Sequence, residues 1–209
     1  NAAVGFRSLS SNTTASNNTA VGYLALTANT TGTQNTVLGS AALDANTTAD
    51  NNVAIGYASL TSNTTGATNT SVGALSLQEN TTASNNTAVG YLALGANTTG
   101  YSLTAVGQGA LDANTTGNLN VAVGTNALGS NTVGDRNVAI GDNALANFNL
   151  SSNADAYNVA IGLNAGIAVT TGLQNTLMGG IAGEGLTTGE RNVIIGYLGA
   201  SHSIQQTTG

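Results

Sequence analysis

The sequence predicts an all-β protein, a parallel β-solenoid (β-roll) of 17-residue coils with about twelve rungs. Three observations carry this. First, a glycine preceded by an aliphatic residue or Met recurs at Gly5, Gly22, Gly39, Gly56, Gly73, Gly90, Gly107, Gly124 and Gly141, then at Gly162, Gly179 and Gly196. The first eight steps are 17 residues, one is 21, and two more are 17. A period this strict marks a stack of equal units. Second, the residues before each such glycine alternate in a period of two, as in Asn18-Thr19-Ala20-Val21-Gly22. Third, 209 residues hold only 6% charged and 4% aromatic side chains. Such a composition cannot fill one globular core, but it suits small residues stacked rung on rung.

Counting Asn18 as position 1, the unit reads N-T-A-V-G-Y-L-A-L-T-A-N-T-T-G-T-Q. Positions 1–4 predict a strand, being rich in β-branched residues and closed by Gly. A second strand is expected near positions 7–10 and a third near 12–14. Glycine at position 5, and Gly or Ala at position 15, mark corners. Seventeen residues with two such breaks leave no room for a useful helix. Rungs pairing in parallel at about 4.8 Å give a rod on the order of 55 Å long.

Residues sharing a position form ladders along the rod. Asn18, Asn35, Asn52, Asn69 and Asn86 occupy position 1, where Leu103 is the exception. A second asparagine column at position 12 runs from Asn12 to Asn131, mostly within N-T-T. These amides are expected to bond along the axis or to satisfy turn backbone. The N-T-T runs also read as glycosylation sequons, and ladder packing is the preferred explanation. Val21, Leu38, Ile55, Val72 and Val89 at position 4, with Leu26, Leu43 and Leu60 at position 9, are expected to form an interior aliphatic spine. Position 3 is small (Ala20, Ala54, Ala88, Ala105) and lies on the other strand face; position 8 is also Ala or Ser. Strands apolar on both faces are usually covered on both, so positions 3 and 8 are expected to meet another subunit.

Residues 1–147 form the regular array. Residues 148–157 carry the extra residues of the 21-residue step, expected to form a loop at one corner. Residues 158–200 are diverged rungs in which Gly166, Gly183 and Ala200 replace the position-9 leucine. Residues 201–209 leave the pattern and read as a tail or the start of a further element. The stretch Thr13–Leu26 recurs unchanged at Thr81–Leu94, a shift of four whole rungs. Linear arrays tolerate such duplication well.

The net charge is −6, with Arg7, Arg136 and Arg191 the only cationic side chains apart from His202. That balance disfavours nucleic acid and anionic membranes as partners. No apolar stretch is long enough for a membrane-spanning helix, so membrane insertion is not expected. The opening Asn1-Ala2-Ala3-Val4-Gly5 falls within the pattern and reads as part of a longer chain. His202 is the lone histidine, and Asp44 and Asp112 share position 10 four rungs apart, about 19 Å. Neither a metal cluster nor a carboxylate pair is expected from them. The periodic glycines lack the context of a phosphate loop. Asp135-Arg136 and Glu190-Arg191 read as exposed local ion pairs. The expectation is no enzyme, no cofactor and no catalytic residue. Tyr23, Tyr57 and Tyr91 recur at position 6 in alternate rungs and are the candidate ligand-facing residues, with turn coverage as their structural reading.

The run N-T-A-V-G-Y-x-A-L-x-x-N-T-T-G resembles repeats of tail-fibre-type proteins from bacteria and phages, over Asn1 to about Gly196. Its N-x-A-[VI]-G core is similar to the heads of YadA-like trimeric adhesins, whose repeat unit is shorter. The resemblance implies a trimeric, left-handed parallel β-roll on a cell or virion surface. The expected function is a structural and adhesive fibre segment: a stiff, homotrimeric extracellular shaft that can contact a host-surface glycan or protein. The alternative is an ice-binding β-solenoid using the threonine columns at positions 13 and 14.

Overall fold

The computed structural model describes residues 1–199; the tail at 201–209, His202 and Ala200 lie outside them. Over the described residues the chain is a parallel β-solenoid without helices. Its main sheet holds twelve three-residue strands: β1 (Ala2–Val4), β2 (Thr19–Val21), β3 (Thr36–Leu38), β4 (Val53–Ile55), β5 (Thr70–Val72), β6 (Thr87–Val89), β7 (Thr104–Val106), β8 (Val121–Val123), β10 (Val138–Ile140), β12 (Val159–Ile161), β13 (Thr176–Met178) and β14 (Val193–Ile195). Each pairs in parallel with the next at equal repeat positions, as Val21 with Leu38 and Leu38 with Ile55. Two-residue strands β9 (Gly134–Asp135) and β11 (Ala154–Asp155) pair separately. About eleven turns separate β1 from β14.

Apart from β9 and β11, only positions 2–4 are strand among the described residues, which corrects the expectation of strands at 7–10 and 12–14. Those segments are successive tight turns. The position-8 amide donates to the position-5 carbonyl (Ala25 to Gly22, 3.4 Å), and the position-12 amide to the position-9 carbonyl (Asn46 to Leu43, 3.4 Å). Positions 7, 9 and 17 adopt left-handed φ in rung after rung, as at Leu24 (57°), Leu26 (54°) and Gln34 (59°). Extended strand cannot absorb three such residues per coil. The turns remain tied to their neighbours: the Leu26 amide donates to Ala42 O at 3.0 Å, and the Ala28 amide to Asp44 O at 3.0 Å.

The recurrent glycine is a requirement of the stack. At Gly56 φ is +132°, and a Cβ there would lie 2.5 Å from Gly73 O and 2.6 Å from Gly73 C. The same clash with the following rung recurs from Gly5 to Gly179. Left-handed backbone and absent space exclude a side chain together.

The interior is inverted relative to expectation at positions 3 and 4. Ala20, Ala54, Ala88 and Ala105 are fully buried inside the coil, as are Ala25, Ala42, Ser59 and Ala93 at position 8. They are not subunit-facing surfaces. Val21, Leu38, Ile55, Val72 and Val89 do stand above one another, but on the outer face of the sheet; Leu38 is 51% exposed. The bore is narrow: Leu26, Leu43 and Leu60 fill it from the opposite side as expected, so the strand contributes a small side chain, Ala in most rungs and Val37 in one. The larger branched side chains are left outside.

The diverged rungs preserve this volume by exchange. Position 9 loses its leucine at Gly166 and Gly183, while position 3 gains Leu177 and Ile194, both buried. Position 12 changes from asparagine to buried Phe148, Val169 and Leu186. The 21-residue step begins at this changeover.

Candidate functional site

Two buried asparagine ladders hold the rungs in register. At position 1, the side-chain carbonyl of each Asn accepts the backbone amide of the next rung: Asn35 N–H to Asn18 Oδ1, Asn52 to Asn35 and Asn69 to Asn52, each at 2.9 Å, and Asn86 to Asn69 at 3.0 Å. Its Nδ2 donates to the position-15 carbonyl, as Asn52 to Gly66 O at 3.0 Å. Leu103 is tolerated because its backbone amide still donates to Asn86 Oδ1, at 3.0 Å. At position 12 the bonds run amide to amide: Asn80 Nδ2 donates to Asn63 Oδ1 at 2.9 Å, and Asn97 Nδ2 to Asn80 Oδ1 at 3.0 Å. This column ends where Phe148 follows Asn131, and the Gly134 amide takes up the last carbonyl, Asn131 Oδ1, at 3.1 Å. No buried side-chain polar atom among the described residues lacks a partner. The asparagines are therefore structural, as the sequence indicates.

The threonines of N-T-T divide by position. At position 13 the hydroxyls are committed to the next rung, as Thr30 Oγ1 to Thr47 O at 3.0 Å. At position 14, Thr14, Thr31, Thr48, Thr65, Thr82, Thr99 and Thr116 form one exposed column.

The outer sheet face is the surface that sequence reasoning missed. Positions 2 and 4 of all twelve strands point outward and include no charged residue. Val4, Leu38, Val89, Ile140, Met178, Val193 and Ile195 are exposed, reaching 71% at Val193. A usable signal was present: up to Ala160, position 3 is Ala or Ser in every rung except at Val37, whereas position 4 varies among Val, Ile and Leu. Constant size is what packing against a fixed opposite wall demands.

The position-6 corner carries Tyr23, Tyr57 and Tyr91, all exposed, separated by Ser40 and Ala74. At one end Phe6 stacks on Tyr23 with centroids 5.6 Å apart and planes 11° from parallel. At the other, Tyr197 lies over Gly180 of the preceding rung, its Cδ2 3.3 Å from where a Gly180 Cβ would stand.

The extra residues of rung nine build a polar knuckle. Arg136 Nε donates to Asp155 Oδ1 at 2.8 Å, its guanidinium lies 5.7 Å from the Tyr157 ring centre, and Tyr157 donates to Asp155 Oδ2 at 3.0 Å. Arg136 thus pairs with Asp155 and not with its neighbour Asp135, whose Oδ1 accepts the Asn118 amide at 2.7 Å. Arg191 likewise bonds Gln174 Oε1, at 3.0 Å, and not Glu190. In both cases parallel stacking brings the adjacent rung closer than the sequence neighbour. The carboxylates at position 10 remain four rungs apart. Asp44 accepts the Thr61 hydroxyl at 2.6 Å. Partial burial pushes the Asp112 carboxyl above its ordinary value, against the lowering effect of backbone hydrogen bonds from Ala113 and Asp112.

Fold and ladders define the chain as a parallel β-solenoid with asparagine-pinned 17-residue coils. Comparison with protein-family models, curated proteins and solved structures finds no match.

Proposed function

We propose that the chain is a non-enzymatic structural and adhesive segment of an extracellular fibre, on a bacterial or virion surface, assembled as a homotrimer. The observation that carries this is the outer face of the twelve-stranded sheet. Its Val, Ile, Leu and Met column, exposed or half-buried at every rung, runs the whole stack beside Thr and Val, without a charge. The strip measures on the order of 500 Å² (about 55 Å by 10 Å), comparable to the largest apolar patch of a typical monomer, which is often functional. A copy of the same chain is the partner whose rungs repeat at the same spacing, so it can engage every rung at once. A globular partner can match only a few. Sequence resemblance to trimeric fibres points the same way.

Sedimentation velocity tests the reading. An elongated trimer is expected, and Leu38→Asp with Ile55→Asp should reduce it to monomer while leaving the far-ultraviolet spectrum intact. A wild-type monomer at high concentration overturns it.

A second reading, ice binding, rests on the single exposed threonine column at position 14. It expects thermal hysteresis that disappears when Thr48, Thr65 and Thr82 are replaced by Tyr.

A further inference from the structure

The tyrosine corner differs from the rest of the shaft. Tyr23, Tyr57 and Tyr91 are 54%, 62% and 50% exposed. They recur every second rung, a pitch of about 10 Å. Between them stand only Ser40 and Ala74, so no large side chain fills the gaps. Each ring is therefore exposed at a regular interval on a rigid edge, with Phe6 stacked on one face of Tyr23.

We propose that these three tyrosines form a comb that binds an extended, uncharged β-linked polysaccharide laid along the rod. This rests on the adhesive reading and names its ligand. Three features select that chemistry. Two sugar residues of an extended β-1,4-linked chain span nearly the comb's pitch, so the same sugar face returns at each tyrosine. Aromatic rings with a polar tip suit pyranose units, which combine apolar C–H faces with hydroxyl edges. Finally, no Lys or Arg lies between Arg7 and Arg136, while Asp44, Asp50 and Glu79 lie in the stretch that carries the comb. An anionic polymer would be repelled there.

Hydroxyl-bonding groups border the comb. Thr27 at position 10 donates to the position-7 carbonyls of Leu24 (2.7 Å) and Arg7 (3.1 Å), which places the position-10 column beside the corner. Asp44, Thr61 and Gln78 continue that column past the tyrosines, all half-buried. Three weak sites on one polymer bind far more tightly than one, provided that their spacing matches.

The test is co-sedimentation of the purified chain with microcrystalline cellulose and with chitin. Wild type is expected to pellet with at least one polymer. Tyr57→Ala should weaken retention about three- to tenfold, and the Tyr23, Tyr57 and Tyr91 triple alanine variant should abolish it. Ser40→Tyr with Ala74→Tyr keeps all three tyrosines and fills the gaps; it should lose retention as well, with its fold verified by circular dichroism. If wild type pellets with neither polymer, or if the triple or the gap-filled variant pellets like wild type, the proposal is overturned. Loss of the comb in this way leaves the trimer in sedimentation untouched, so the fibre reading stands or falls separately.

Discussion

A Cβ placed on Gly166 would lie 2.6 Å from Leu177 Cδ1. These residues sit on opposite walls of the bore in successive rungs, and one has given up the volume that the other occupies. Gly166→Leu should overpack the bore and cost about 3 kcal/mol, combining overpacking with a leucine in left-handed backbone. Adding Leu177→Ala should restore much of the loss. Urea unfolding of both single variants and the double measures the coupling; simple additivity would show that the two walls do not share this space.

Asn63 makes three buried hydrogen bonds: its Nδ2 donates to Asn46 Oδ1 (3.4 Å) and Gly66 O (2.9 Å), and its Oδ1 accepts from Asn80 (2.9 Å). Asn63→Leu is expected to cost about 2–4 kcal/mol, because the abandoned partners remain buried. Asn131→Leu should cost about as much, since it abandons Asn114 Oδ1 and both the amide and the carbonyl of Gly134. A negligible loss at either position in chemical denaturation would contradict the ladder.

Gly56→Ala should destabilise by more than about 3 kcal/mol, since backbone conformation and the Gly73 carbonyl both oppose the methyl group. In a linear array the damage is local. Hydrogen exchange should therefore accelerate in the rungs around Gly56 before the ends of the stack respond.

Ala41 has φ of +54°. Left-handed backbone costs a non-glycine residue about 1–2 kcal/mol, and glycine gives back about 0.5–1 kcal/mol in unfolded-state entropy. Ala41→Gly is expected to raise stability by about 0.5–1 kcal/mol. A lower midpoint in urea would refute this.

Asp112 has a raised folded-state pKa, chiefly from desolvation. Folding therefore favours its protonated form. Its contribution is most favourable at low pH and is lost as pH rises through the raised value. Asp112→Asn should stabilise the protein at neutral pH and flatten the acid limb of its stability curve, with little effect at the acid end. Urea midpoints across that range give the answer.

Periodicity made the coil, the asparagine ladders and the position-9 leucines legible, because each repeats at a fixed interval and does one job. The inside and outside of β2–β6 were not legible from alternation. A period of two defines two faces and labels neither. Hydrophobicity alone assigned Val21 and Leu38 to the interior, whereas the width of the bore decided for Ala20 and Val37. The short strands were overextended in the same way: Leu24 and Leu26 look like strand residues, and their left-handed backbone is imposed by the coil. Of the candidate sites, the tyrosine corner was visible as a row. The Arg136–Asp155–Tyr157 knuckle was hidden, since its members become neighbours only after rung nine closes.

The position-12 amides all point one way, each donor toward the earlier rung, and Gly134 closes the series at Asn131. The shaft therefore carries a built-in arrow and a stop. Whole coils spliced in ahead of that stop find an acceptor below and a donor above and leave no loose valence. Lengthening this rod is then a matter of copying text, which is how the four-rung repetition between Thr13 and Leu94 reads.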